Sequence, residues 1–260
     1  MASVGFADTG GRAQSDDRGF FRTLATVMAI VQVSGFVVQL AMGRSSFGAP
    51  LIVHFHAVAF MGWVAIFLSQ TWLAANGAMA RHRLLGRIAL VWACALLVLG
   101  VLITVATIRT GRTPFFFQPQ HFLLANPIGL IGALSLLATA VVMRKRQDWH
   151  ERLQIGSFVL LMGPSFGRLL PMPLMTPYAF EIASLAPLVF VAFAANRDLR
   201  VHKRVHPAWA VTAGVLVSAL LLARLLAFSP VGAALYAAAV AGTSAAGSDG
   251  LAFPPPPPMP

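Results

Sequence analysis

The sequence predicts an all-α polytopic membrane bundle of about seven transmembrane helices, with its amino terminus in the cytoplasm. Three observations carry this: an apolar composition, apolar runs long enough to cross a bilayer, and a lopsided distribution of arginine. Of 260 residues, 58% are hydrophobic and only 10% are charged, and the mean hydropathy is +0.77. A soluble domain carries roughly a quarter charged residues, so this chain has too little polar surface to cover a water-soluble globule. The lipid bilayer is its expected solvent and its first partner.

Crossing about 30 Å of hydrocarbon takes roughly 17–25 apolar residues. Seven runs meet that requirement: 24–42, 51–73, 88–108, 122–143, 154–171, 178–196 and 207–228. Lipid offers no water to unpaired backbone groups, so separate spans are expected to be helices. The first run is about twice as long as the core of a cleaved signal, which predicts an uncleaved helix. Pro164, Pro171, Pro173, Pro177 and Pro187 fall in or between the fifth and sixth runs. Proline removes a backbone donor and kinks a helix, so this hairpin is expected to be bent.

Three segments follow: a flexible cytoplasmic amino terminus at 1–22, the bundle at 23–228, and an external Ala/Gly/Pro-rich tail at 229–260. The tail is expected to be largely disordered, with one short interfacial helix over Val231–Gly242 and polyproline II over Pro254–Pro258. Charge sets the orientation. Of the 19 lysines and arginines, only Arg44, Arg109, Arg112, Arg168 and Arg224 fall on the side away from the amino terminus. The rest cluster at the amino terminus and in the turns after spans two, four and six, which the positive-inside rule places in the cytoplasm. The expected location is therefore a bacterial inner membrane. Nucleic acid is not an expected partner, despite a net charge of +11, because the basic residues are segregated in turns rather than lined along one face. The single Cys94 excludes an intramolecular disulfide and a Cys-based metal site.

The histidines fall at the two membrane faces. His54, His56 and His121 stand at the outer ends of spans two and four, and form the first candidate metal or haem set. His54 and His56 are two apart, which on a regular helix turns them to different sides. His82, His150 and His206 each precede a helix that runs outward, suggesting a weak helical-hairpin repeat. With Arg83 they make a second, inner-face candidate cluster, since neutral imidazole is a common metal ligand. Arg168 and Glu181 should lie at similar depth near the outer surface, and are expected to form a buried ion pair.

The turn His82-Arg83-Leu84-Leu85-Gly86-Arg87, and His150-Glu151-Arg152-Leu153 running on to Gly167-Arg168, carry a resemblance. Over about residues 50–210 the chain resembles a broad group of bacterial polytopic membrane proteins known only as a domain of unknown function. Its pattern is a His-Arg-x-x-Gly-Arg turn followed by a His-x-Arg turn. The resemblance implies a helical membrane fold and functional interest in His54, His82, Arg83, His150, Arg168 and His206. His121 has no counterpart in that pattern, and no reaction comes with it.

Two classes of function remain. The first is a redox protein binding one b-type haem or one transition metal through histidines near a membrane face. His54 or His56 with His121 would be the axial ligands, and Arg109, Arg112 or Arg168 would meet the propionates. Two haems stacked across the bilayer are excluded, because His54 and His82 are 28 residues apart, roughly 42 Å at 1.5 Å per residue. The second is a non-catalytic transporter or small-molecule binding protein, or an accessory subunit with membrane-protein partners or copies of itself. Ser165, in Gly163-Pro164-Ser165-Phe166-Gly167, has the spacing of a nucleophile elbow but lacks the strand-turn-helix context.

Overall fold

The computed structural model describes residues 9–45 and 47–256, so expectations for residues 1–8 and for Pro257 onward lie outside the described residues. The described chain is helical and has no strand. Its helices are α1 (Thr9–Ala41), α2 (Leu51–Ala75), α3 (Met79–Arg109), α4 (Pro119–Val142), α5 (Gln147–Leu160) and α6 (Gly163–Leu169), then α7 (Ala179–Leu185), α8 (Leu188–His202), α9 (Pro207–Ala227) and α10 (Pro230–Val240). Among the described residues six segments are long and apolar enough to cross a membrane: Asp17–Ala41, Leu51–Ala75, Met79–Arg109, Pro119–Val142, Ala179–His202 and Pro207–Ala227.

Proline places the breaks. The fifth apolar run is not one helix. It stops at Leu160 and restarts at Gly163, with Pro164 in the first turn of α6, where its missing N–H costs nothing. The sixth run is interrupted at Ala186–Pro187, between α7 and α8. Glycine closes two of the tight turns. Gly77 and Gly111 follow α2 and α3 at φ +71° and +64°, a left-handed conformation that side chains resist and that ends helices cleanly.

The bundle is stitched by aromatic packing and by single hydroxyls or indoles donating to carbonyls of neighbouring helices. Phe67 of α2 stacks on Phe158 of α5 at 4.0 Å between ring centroids. Trp92 Nε1 donates to the Ala59 carbonyl, Ser157 Oγ to Ala133, and Ser165 Oγ to Val31. Such bonds hold membrane helices together where lipid supplies no hydrophobic drive. Gly35 lets α1 and α6 approach closely, since a Cβ there would stand 2.8 Å from the Ser165 carbonyl oxygen.

One end gathers most of the arginines and holds a buried ion pair. Arg152 of α5 grips Asp198 of α8 through two bonds, Nε to Oδ2 at 2.9 Å and Nη2 to Oδ1 at 2.6 Å. Their side chains are 3% and 2% exposed. Trp209 Nε1 of α9 donates to the same Oδ2 at 2.8 Å. Arg152 Nη1 bonds the Asp148 carbonyl, and the guanidinium lies over the Phe21 ring of α1. At this basic end Asp17 also pairs with Arg197 and His202, and α1 packs into the core through Phe20 and Phe21.

At the far end the carboxy-terminal tail is not the largely disordered segment expected. Pro230–Val240 forms α10, the short helix expected over Val231–Gly242, but the chain beyond it folds back. Gly250 O accepts from the Gln120 N–H at 2.8 Å, Leu251 O accepts from the Gln118 side chain, and the Tyr236 hydroxyl meets Ser248 at 2.9 Å. The physical reason lies at the start of α4. Gln118 and Gln120 are polar groups beside the helix ends, and the tail supplies carbonyls to meet them.

Truncating Asp198 leaves Arg152 buried without its counter-charge, which costs about 3–5 kcal/mol. Asp198→Ala is expected to lower the melting temperature in detergent far more than Trp209→Phe, which removes one bond to a charged group, worth roughly 1.5–3 kcal/mol. Equal melting temperatures for Asp198→Ala and the parent chain would refute the assignment.

Candidate functional site

Two hairpins, α2–α3 and α4–α5, close at the basic end with the same local device. His82 and His150 are each the fourth residue of the returning helix. Each reaches back to the helix before it: His82 Nδ1 lies 3.2 Å from the Gln70 carbonyl oxygen, and His150 Nδ1 lies 2.7 Å from that of Ala140. A carbonyl can only accept, so Nδ1 carries the proton, and Nε2 of the neutral ring is left with a lone pair. The ring centroids are 6.3 Å apart and the planes cross at 84°.

The surroundings explain the motif residues. Ala140 is among the last carbonyls of α4, which the helix itself leaves unsatisfied, so His150 caps that end as well. A Cβ at Gly86 would stand 3.2 Å from Gln70 Nε2. The glycine of the His-Arg-x-x-Gly-Arg turn therefore makes room for Gln70. The Gln70 side-chain oxygen is buried and has no hydrogen-bond partner. Arg83 is exposed, and close enough for its charge to act on His82.

His206, the third expected member of this cluster, stands apart. Its Nδ1 accepts the Ala208 N–H at 3.2 Å, capping α9, and its Nε2 donates to Asp148 Oδ2 at 3.1 Å. This is the opposite tautomer to that of His82 and His150, and both nitrogens are engaged. Trp149 packs edge-on against the ring at 5.1 Å. Burial pushes the Asp148 carboxyl up, but the hydrogen bonds from His206 and the Trp149 N–H, with the nearby charge of Arg146, outweigh it and hold the group below its usual range. Among the described residues no three His, Cys, Asp or Glu side chains gather as metal ligands. The expected convergence of three imidazoles is therefore a pair.

At the far end the structure separates the other candidates. α3 packs against both α2 and α4, and the histidines of α2 and α4 meet different neighbours. His56 packs on Phe60 at 4.2 Å with its Nδ1 buried and without a partner, and Arg168 is the charge that acts on it. His54 is half-buried on the same helix. His121 is 4% exposed, lies against the Phe180 ring, and leaves Nε2 without a partner. Its charged neighbours are Glu181 and Arg224.

The expected Arg168–Glu181 ion pair does not form. Glu181, in the first turn of α7, faces α9, and its Oε1 accepts from Arg224 Nη1 at 2.6 Å. Arg168 ends α6 facing α1, donates Nη1 to the Pro164 carbonyl at 2.7 Å, and lies over Phe36 at 4.4 Å. Sequence reasoning also passed over Asp198 and Trp209. The available signal was a lone acid among arginines at the end of an apolar run, with a tryptophan just beyond the next turn.

No family model, no curated protein and no solved structure matches this chain.

The capping role of His206 predicts a split between two substitutions. His206→Asn keeps an oxygen that can accept the Ala208 N–H, whereas His206→Ala loses the cap and about 1 kcal/mol. Thermal melts should rank the parent and His206→Asn together, with His206→Ala below both. A melting temperature for His206→Asn as low as that of His206→Ala would refute the capping role.

Proposed function

We propose that this chain is a seven-pass protein of the bacterial cytoplasmic membrane, amino terminus in the cytosol, holding one transition-metal centre between His82 and His150 at its cytosolic face. The single observation that carries the metal reading is the pair of imidazoles, each anchored through Nδ1 to a backbone carbonyl. Metal-bound histidines almost always donate their second ring nitrogen to a carbonyl, carboxylate or water, which fixes the tautomer and aims the other nitrogen at the metal. Two metal–nitrogen bonds of about 2.0–2.1 Å, with the half-rings behind them, span roughly 6 Å. The 6.3 Å between centroids is close to that. Both histidines belong to the two turns that carry the family resemblance.

A pair without a third side-chain ligand suits a centre whose other positions are filled from outside the protein. His82 and His150 would hold either a haem iron, which would supply one-electron redox chemistry, or a copper or zinc ion. The chain's own contribution is the same in either case. Gln70 and Ala140 set the tautomers, Gly86 admits Gln70, and the exposed Arg81, Arg83 and Arg87 offer guanidinium groups to propionates or other anions.

The pass count is supported by the register of the interrupted segment. Arg152 meets Phe21, Ser165 meets Val31 and Arg168 meets Phe36, so contacts from α5 and α6 follow α1 from Phe21 to Phe36. The arginine-rich turns then fall on the amino-terminal side, which the positive-inside rule assigns to the cytosol. With Cys94 replaced by serine, a single cysteine at Lys145 should be blocked only by membrane-permeant reagents, and one at Arg112 by impermeant reagents as well. The reverse labelling would invert the topology.

The metal centre is tested on the purified full chain by elemental analysis and absorption spectroscopy after expression with iron and a haem precursor. One metal per chain is expected, with a Soret band if the centre is haem. Binding should fall at least tenfold in His82→Ala and in His150→Ala, and persist in His56→Ala and His121→Ala. Colourless, metal-free protein of normal melting temperature would end this reading and favour transport or an accessory role in a complex.

A further inference from the structure

The far end carries a charge that the protein does not balance. Among the described residues the ion pairs involve Arg152, Arg197 and Arg224, with His202 and His206, but not Arg168. Glu181, the acid expected to meet it, is held by Arg224. Arg168 gives Nη1 to the Pro164 carbonyl of its own helix and stacks on Phe36. That leaves most of its five N–H donors without a protein acceptor. On α2, within reach of the Arg168 charge, His56 has an Nδ1 that is buried without a partner.

Depth makes this costly. Phe36 lies five residues before the end of α1, and His56 five residues after the start of α2. At 1.5 Å per residue, both elements put the guanidinium about 8 Å inside the helix ends. An unpaired charge there is expensive, and such groups ordinarily find a counter-charge. The imidazole of His56 carries no negative charge and cannot supply it.

We infer that Arg168 and His56, with the Phe36 face beneath, form an anion site at the far end, selective for a carboxylate or phosphate group. The planar fork of Arg168 matches two oxygens of such a group, the His56 Nδ1–H can donate to a third acceptor position, and Phe36 shields one face of the fork from lipid. The same oxyanion can arrive as the headgroup of an anionic lipid or as a small soluble anion.

The test uses the full chain in neutral detergent, stripped of lipid, with inorganic phosphate as one probe and nanodiscs of phosphatidylcholine, with or without one-fifth phosphatidylglycerol, as the other. Stabilisation scales with occupancy of the folded state. The parent chain should gain about 3 °C or more in melting temperature from one probe. Arg168→Gln should lose that gain, while Arg112→Gln, which removes an exposed charge at the same end, keeps it. Should Arg168→Gln fail to fold, Arg168→Lys keeps the charge without the fork and should weaken binding about tenfold. A gain from phosphate assigns a soluble anion; a gain only from phosphatidylglycerol assigns a lipid. No gain from either probe, or a gain in Arg168→Gln or Arg168→Lys as large as the parent's, overturns the inference.

Discussion

An arginine and an aspartate shut away from water between four helices set the geometry of the basic end. The Arg152–Asp198 pair is bidentate, and it takes a third bond from Trp209 and an aromatic face from Phe21. Charged groups in such a place are tolerated only when every donor and acceptor is met. That demand fixes the rotation of α5, α8 and α9 and the depth of α1 together. Because α5 is fixed, so is its first turn, and with it the Nδ1–H of His150 against Ala140. His150 therefore inherits its position from an ion pair that does not bond it.

The all-helical character and most of the long apolar segments were legible in the sequence, because lipid enforces them directly. Composition and run length identify a spanning helix without knowledge of its neighbours. Proline announced the interruption between Leu160 and Gly163 for the same local reason. What could not be read was the choice among chemically equivalent partners. Glu181 had several arginines within reach by depth, and only the facing of α7 toward α9 selects Arg224. His206 sits at a turn like His82 and His150, yet the proline after it makes it an N-cap, with the opposite tautomer. The tail was misjudged because its composition is that of a linker, while its order comes from Gln118 and Gln120, more than a hundred residues earlier.

The two ends differ in how completely they satisfy themselves. At the basic end the carboxylates of Asp17, Asp148 and Asp198 all have partners. At the far end His56, His121 and Glu181 each keep a buried polar atom with none. A buried group left unmatched costs about 1–3 kcal/mol. The far end carries that penalty on His56, His121 and Glu181, whereas beside His82 it falls on an uncharged amide oxygen, that of Gln70.

The break between α5 and α6 also decides what each half can reach. α5 is anchored to the ion pair at one end, and α6 is anchored to α1 through Ser165 and Phe36 at the other. At Leu161 and Met162 the backbone bonds only three residues back, to Phe158 and Val159. The tighter turn re-aims the chain, so that α6 meets Val31 and Phe36 of α1 while α5 keeps Ala133 and Phe67 as its own partners.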